Sequence, residues 1–229
     1  MAKISLFIGD IRPLAGSGRP TGIYKQPVTG ALELTLTGFV GDEQADKRVH
    51  GGPEKAVHLY PARHYQRLAK QFPEAAAALQ AGSLGENIST GELDESNVRV
   101  GEIYQLGTAR LQVCQPRNPC WKIDTRFSSD GMAAFIAENS LTGWYWRVVQ
   151  PGIVRPGDEL NCLESLDSPT LADAMQLCQA HRPDPADLEK LTDTPGIAAD
   201  WQRKIRARAD WLRRNTPLTQ PQSGVPRET

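Results

Sequence analysis

Residues 31–37, Ala31-Leu-Glu-Leu-Thr-Leu-Thr37, set Leu32, Leu34 and Leu36 on one side of the backbone and polar groups on the other. Successive side chains of an extended strand point to opposite faces, so this period of two predicts a strand with one buried face. Further short apolar runs punctuated by Gly and Pro follow along the chain: Ile4 to Ile8, Val57 to Tyr60, Ile103 to Leu106, Ala109 to Cys114, Trp144 to Val149 and Glu159 to Leu163. Short strands at such spacing predict a mainly β fold, a β-barrel, over residues 1–166. Two short helices are predicted within it. One runs from Ala62 to Phe72 and is followed by a separate turn or helix from Pro73; the other runs from Met132 to Glu138, with Asp130 as its N-cap.

Beyond Leu166 the pattern becomes helical. Thr170 and Asp173 form a capping box ahead of a stripe of Leu171, Ala174, Met175 and Cys178. Asp184-Pro185 starts a second helix carrying Leu188 and Leu191, and a third is predicted over 197–214 through Trp201, Ile205 and Leu212. Residues 167–215 are therefore expected to form a three-helix unit that buries its own apolar face and stands away from any reactive site. The tail 216–229, rich in Pro, Gln, Ser and Thr, is expected to be disordered, because it has too little apolar surface to offset its ordering entropy.

The 229 residues are 39% hydrophobic and 23% charged, with a formal net charge of −1. That balance is ordinary for a globular protein and gives no global attraction to nucleic acid or anionic lipid. No apolar run is long enough to span a bilayer, and the start has no long apolar segment of the export type, so no membrane partner and a cytoplasmic location are expected. The four cysteines form no CxxC pair and no zinc-type cluster with histidine, which fits a reducing compartment. The basic last helix, with Arg203, Lys204, Arg206, Arg208, Arg213 and Arg214, is read as a solvated face, so nucleic acid is not an expected partner. A GxxxxG phosphate loop from Gly51 fails at Ala56, and no GxGxxG follows a strand, which disfavours nucleotide folds.

Three stretches carry candidate chemistry. In Gln115-Pro-Arg-Asn-Pro-Cys-Trp-Lys-Ile123, Pro116 and Pro119 stiffen the backbone just before Cys120, while Arg117 and Lys122 place positive charge beside its thiol. Nearby cations favour the thiolate, the form that attacks or binds metal; a buried structural cysteine remains the alternative. In 41–55, Lys47, Arg48, His50 and Lys55 surround Gly51-Gly52, where an absent Cβ lets backbone approach an anion. Asp42 and Glu43 there can orient these cations or move protons. In Gly85-Glu-Asn-Ile-Ser89, a glycine turn brings Asn87 and Ser89 to positions able to read the polar edge of a heterocycle. His58 and His64 read as structural, and Cys114, Cys162 and Cys178 each have a packing explanation.

In this order, GDEQADKRVHGGPEKAVHLYP (41–61), GENIS (85–89), SNVRVGEIYQLG (96–107) and QPRNPCWKI (115–123) resemble the MOSC-domain family, most closely its YiiM-type branch. The resemblance covers about residues 28–163, and 170–214 is similar to the small C-terminal helical domain of that branch. It implies a MOSC-type β-barrel with inserted short helices that binds the molybdenum cofactor, Mo-molybdopterin, with Cys120 as the metal's thiolate ligand. It also implies reduction of small N-hydroxylated substrates, notably detoxification of hydroxylaminopurine-type base analogues. Under this resemblance Arg48, His50, Gly51, Gly52, Lys55 and Arg117 would hold the cofactor's phosphate, with Lys47 among the nearby donors, and Asn87 and Ser89 would read its pterin. With no flavin, nicotinamide or Fe–S fingerprint in the chain, electrons are expected from a reductase partner, a flavoprotein. A homodimer is left open, and the competing reading is a cofactor or sulfur carrier without turnover of its own.

Overall fold

The computed structural model describes residues 2–215, so the expected disordered tail lies outside the described residues. In chain order the strands are β1 (Ala2–Lys3), β2 (Ser5–Ile8), β3 (Arg12–Pro13), β4 (Pro20–Thr21), β5 (Gln26–Pro27), β6 (Leu32–Thr35), β7 (Gly38–Phe39), β8 (Val57–Pro61), β9 (Ile88–Thr90), β10 (Ile103–Leu106), β11 (Ala109–Pro116), β12 (Trp144–Gln150), β13 (Gly152–Val154) and β14 (Glu159–Glu164). The helices are α1 (Lys47–His50), α2 (His64–Gln71), α3 (Lys122–Phe127), α4 (Met132–Glu138), α5 (Leu171–Gln179), α6 (Pro185–Thr192) and α7 (Ala199–Asn215).

Nine strands form one ladder in the order β1-β14-β10-β11-β12-β8-β9-β2-β5. Every pair in it is antiparallel except β8 with β9. The fold is thus sheet-dominated, with helices packed on the sheet. A barrel was expected; what the strand pairing shows is a nine-stranded ladder that runs from β1 to β5. A smaller sheet, β13-β6-β7, holds the alternating stretch 31–37. Leu34 is fully buried there, but β6 ends at Thr35, whose hydroxyl donates to the Gly38 carbonyl at 2.8 Å. That turn carries Leu36 out of the strand, and it is 54% exposed rather than sharing the buried face.

Local signals placed most elements. β10 occupies its predicted span, and α5 starts at Thr170, whose Oγ1 accepts from the Asp173 amide at 3.1 Å. Asp184 caps α6 by accepting from the Ala186 amide at 2.8 Å, with Pro185 in the first turn. The start of α4 differs from expectation. Gly131 stands at its N-cap, and Asp124, not Asp130, accepts from Gly131 N at 3.3 Å and Ala133 N at 2.7 Å.

One apolar core joins sheet and helices: Leu6, Leu111, Trp144 and Trp146 lie in the same cluster as Leu171, Leu188, Ile205 and Leu212. Backbone hydrogen bonds stitch the units together as well, from Leu171 N to Val98 O at 2.9 Å and from Ala198 N to Cys114 O at 2.9 Å. The helical unit therefore packs against the sheet as well as on itself.

Candidate active site

The chain leaves β11 at Pro116, and Arg117 N donates to the Gly143 carbonyl at 3.1 Å. Just past Pro119 the Cys120 carbonyl accepts from Ile123 N at 3.0 Å, which opens α3. Lys122 Nζ donates to the Pro20 carbonyl at 2.9 Å and pins the far side of this turn. Cys120 is thereby held at the surface of two adjoining cavities, with its side chain partly open. Cys114 has a different environment. It is fully buried, and its Sγ donates to the Glu54 and Tyr145 carbonyls at 2.9 and 3.4 Å. Burial pushes its thiol up to about 12, so it stays protonated.

Around Cys120 gather Arg117, Lys122, Lys55 and His50, all lining the inner cleft. The His50 pKa is lowered by burial and then by the charges of Arg117, Lys122 and Lys55, with Asp46 opposing. At neutral pH this imidazole is neutral, so His50 offers one N–H rather than the positive charge expected of it. Three cations close enough to act on one imidazole make a region of positive potential suited to an anion. Arg117 is buried, and its Nη1 has no protein partner. An unpaired buried guanidinium nitrogen is costly, which is a reason to expect a ligand group opposite it.

The loop bearing Lys55 is shaped by Gly52, whose φ of +94° favours glycine, and Lys55 N donates to the Gly52 carbonyl at 2.9 Å. Glu54 clamps this loop outward. It pairs with Arg147 at 2.6 Å and accepts from Ala199 N, the first residue of α7, at 3.0 and 3.1 Å.

The opposite wall is polar and buried. Asp42 accepts from Lys25 Nζ, from Gly9 N at 3.0 Å, from Gln44 at 3.0 Å and from Asn87 Nδ2 at 2.9 Å. Its side chain is 1% exposed and that of Lys25 3%. With four donors on its two oxygens, this carboxylate organises the wall and has little capacity left for proton transfer. Glu43 also lines the cleft, and one of its oxygens accepts from Ile11 N at 3.0 Å. Asn87 is fixed from both ends, its Oδ1 accepting from His58 N at 3.1 Å.

The structure therefore brings together Cys120, Asp42, Glu43, His50, Lys55, Asn87 and Arg117. It does not bring Ser89, whose hydroxyl donates to the Tyr60 carbonyl at 2.9 Å within the sheet. Lys47, Gly51 and Gly52 lie outside the cleft lining. Gly51 packs against the Lys47 backbone, where an added Cβ would come within 3.3 Å. The side chain of Arg48 lies outside the described residues.

Sequence reasoning missed Lys25, His58 and Tyr145, which also line the cleft. Burial first, and the Arg117 charge next, hold the His58 pKa well below 6.5, and its Nε2 has no protein partner. It sits in β8, every residue of which is buried, so no alternation marked it. Tyr145 neighbours His58, with ring centroids 5.4 Å apart. The helical unit was also expected to stand clear of the thiol. Instead, Met175 and Cys178 of α5 and Trp201 of α7 wall the larger cavity that Cys120 lines.

A MOSC domain family model matches residues 46–161. The chain belongs to the MOSC-domain family. This MOSC-domain chain is 36% identical over 206 residues to Protein YiiM of Escherichia coli (strain K12), across 90% of this chain and 91% of that protein. It is 36% identical over 158 residues to a Gibberella moniliformis protein named Reductase, across 68% of this chain but only 28% of that one. Among solved structures it resembles YiiM from Escherichia coli, with a TM-score of 0.78 and 29% identity over 92% of each chain. YiiM from Geobacillus stearothermophilus matches with a TM-score of 0.76 and 26% identity, over 90% of this chain and 97% of that one.

MOSC domains are associated with molybdenum cofactor binding, and the residues of this MOSC site fit such a group. Among the described residues no cluster of three or more His, Cys, Asp or Glu could cage a bare metal ion. What the cleft offers is one thiol, a set of cations and two orphaned nitrogens, Arg117 Nη1 and His58 Nε2. That donor set suits a metal arriving with its own sulfur ligands and an anionic tail. No helix among the described residues is long and apolar enough to cross a membrane.

Proposed function

We propose that this chain is a molybdenum-cofactor-dependent reductase of N-hydroxylated compounds, with hydroxylaminopurine-type base analogues as substrates. The observation that supports this most is the Cys120 thiol, set by two prolines at the junction of a cation-lined cleft and a larger open cavity. The reductase name of the Gibberella moniliformis relative is in keeping with it.

In this reading Cys120 supplies the soft thiolate donor to molybdenum. Arg117, Lys55 and Lys122 hold the cofactor's phosphate, and His50 adds a neutral N–H donor. Asn87, its Nδ2 shared between Asp42 and the Phe7 carbonyl, would offer the pterin edge the remaining lone pair of its Oδ1, which the His58 amide orients. Asp42 positions this wall through Lys25, while Glu43 and His50 are the cleft groups left to carry protons. The bound cofactor supplies the two-electron redox chemistry. Overall, R–NHOH takes two electrons and two protons, the N–O bond breaks, and amine and water leave. The electrons come from a separate reductase of the flavoprotein class.

The family's barrel is part of this reading. Residues 2–8 pair with β14 through Ala2–Lys3 and with β9 through Ser5–Leu6, which supports a sheet rolled shut by its first strand.

The test is metal and pterin analysis of protein made in a host able to build the cofactor, followed by reduction of 6-N-hydroxylaminopurine with an artificial electron donor. Stoichiometric molybdenum with turnover is expected. Molybdenum without turnover under any reductant would turn the reading to a carrier.

A further inference from the structure

We infer that the face of α5 and α7 turned toward Cys120 is the substrate subsite of this chain, and that Trp201 determines its specificity by stacking on a planar, uncharged N-hydroxylated heteroaromatic base. The inference rests on the reductase reading above and adds to it the substrate's shape and the residues that take it.

Two cavities meet at Cys120. The inner cleft, with Asp42, Asn87 and the buried Lys25, holds about 80 Å³, whereas the outer one holds about 830 Å³. The outer volume falls in the range of roughly 300–1,000 Å³ usual for small-molecule sites. Its far wall carries an apolar stripe of Met175, Cys178, Leu188, Trp201 and Ile205, flanked by the polar Gln179, Asp200, Lys204 and Arg208. On the near side the amide side chains of Gln115 and Asn118 line it, beside the 46%-exposed indole of Trp121. Apolar and aromatic surface with a few amides suits a flat heterocycle, which has π faces to cover and ring nitrogens to pair. Arg117, buried and with Nη1 unpartnered, lies in the wall of both cavities, so a ligand group is wanted where they join.

Trp201 is placed in advance of any ligand. It packs against the buried cluster of Cys114, Tyr145 and Ala198. The first turn of α7 is tied down by Ala198 N to Cys114 O at 2.9 Å and by Glu54 on Ala199 N. On α5, the Met175 sulfur accepts from Thr142 Oγ1 at 3.3 Å. A wall fixed in this way binds without a large ordering cost. The cations on α7 at this cavity already have partners: Lys204 pairs with Asp200 at 2.7 Å, and Arg208 donates to the Ala180 carbonyl. Arg117, Lys55 and Lys122 border both cavities and are assigned above to the cofactor's anion, so the part of the outer cavity that α5 and α7 wall is left to a neutral base rather than to a phosphorylated nucleotide.

The experiment uses the full chain and measures binding of 6-N-hydroxylaminopurine and of adenine by titration calorimetry. Trp201→Ala should raise both dissociation constants roughly fivefold to a hundredfold, the usual range for loss of one base–aromatic stack, while molybdenum content is unchanged. Trp201→Phe, which keeps a ring, should stay within about threefold. A non-aromatic substrate, N-cyclohexylhydroxylamine, should lose far less from Trp201→Ala than the purine does. A second measurement needs no variant: saturating base should slow alkylation of Cys178 in the native chain while leaving the exposed Cys162 unaffected. Equal affinities in native and Trp201→Ala protein would overturn the inference, as would an unprotected Cys178. If Trp201→Ala does not fold, the Cys178 footprint decides. Base binding that depends on Trp201 without any turnover would sink the reductase reading and leave the subsite standing; turnover with binding indifferent to Trp201 would do the reverse.

Discussion

Replacing Asp42 by Ala tests whether this carboxylate organises the cleft or works on protons. The change strands the Lys25 ammonium, only 3% exposed, without its counter-charge, and removes the acceptor used by Gly9 N and Asn87 Nδ2. Breaking a buried ion pair from one side costs about 3–5 kcal/mol. Each unsatisfied donor adds about 1–3 kcal/mol where water cannot reach it. Asp42 borders an open cleft, so water can re-pair part of what is lost, and the total should stay near the ion-pair figure of about 3–5 kcal/mol. For a chain of this size that lowers the thermal midpoint by roughly 6–20 °C. Urea unfolding followed by far-UV circular dichroism reads the loss directly, in protein free of cofactor. Lys25→Met combined with Asp42→Ala should be more stable than Asp42→Ala alone, because no buried charge is then left over. A loss below about 1 kcal/mol in Asp42→Ala, or no recovery in the double variant, would refute the organising role and return Asp42 to the candidates for proton transfer.

Cys120→Ser should abolish bound molybdenum and reduction of hydroxylaminopurine while keeping the fold. Cys114→Ser should keep both, since a hydroxyl can donate to the same Glu54 and Tyr145 carbonyls; full activity in the first variant would falsify the assignment. Arg117→Ala should weaken cofactor retention about tenfold to a hundredfold, as for a charged hydrogen bond, and unchanged pterin content after dialysis would move the anion site elsewhere. His58 is neutral when folded, and its pKa lies well below the 6.5 of the unfolded chain. The unfolded state therefore binds the extra proton below about pH 6.5, and stability falls as pH drops through that point, by up to about 1.4 kcal/mol per unit. His58→Phe should flatten this part of a stability–pH profile, and an identical slope would count against it. Truncation after Leu166 removes Leu171, Leu188, Ile205 and Leu212 from the shared core, so residues 1–166 should aggregate or lose cooperative unfolding. A fragment with the native thermal midpoint would contradict that.

Much of the architecture depends on neighbours within a few residues, and such signals are written in the chain. The span of β10, the Thr170 and Asp184 caps and the proline frame around Cys120 all rest on backbone dihedrals or on bonds closed within one turn, which residue type biases directly. The cation set was legible for the same reason, since His50 and Lys55 share one loop and Arg117 and Lys122 flank the thiol. Leu36 marks the limit of that kind of reading: the period of two continues to Thr37 in the sequence, but the turn at Thr35 ends the strand first.

The remaining features were decided by tertiary structure. Asp42 became a buried anchor because Lys25, Gly9 and Asn87 converge on it from three separate segments, a coincidence no local pattern encodes. Ser89 was turned from ligand to sheet by the Tyr60 carbonyl, 29 residues away. The largest difference lies in the helical unit. Its caps and apolar stripes determined that α5, α6 and α7 would form, but a helix stripe specifies only that something apolar must cover it. What covers it here is in part the sheet, through a core common to both, and where α5 and α7 stop short of the Cys120 loop they leave a cavity with an apolar stripe on one wall. That placement arises from packing between segments more than 50 residues apart, so the composition of the cavity follows from the whole fold and from no single stretch of it.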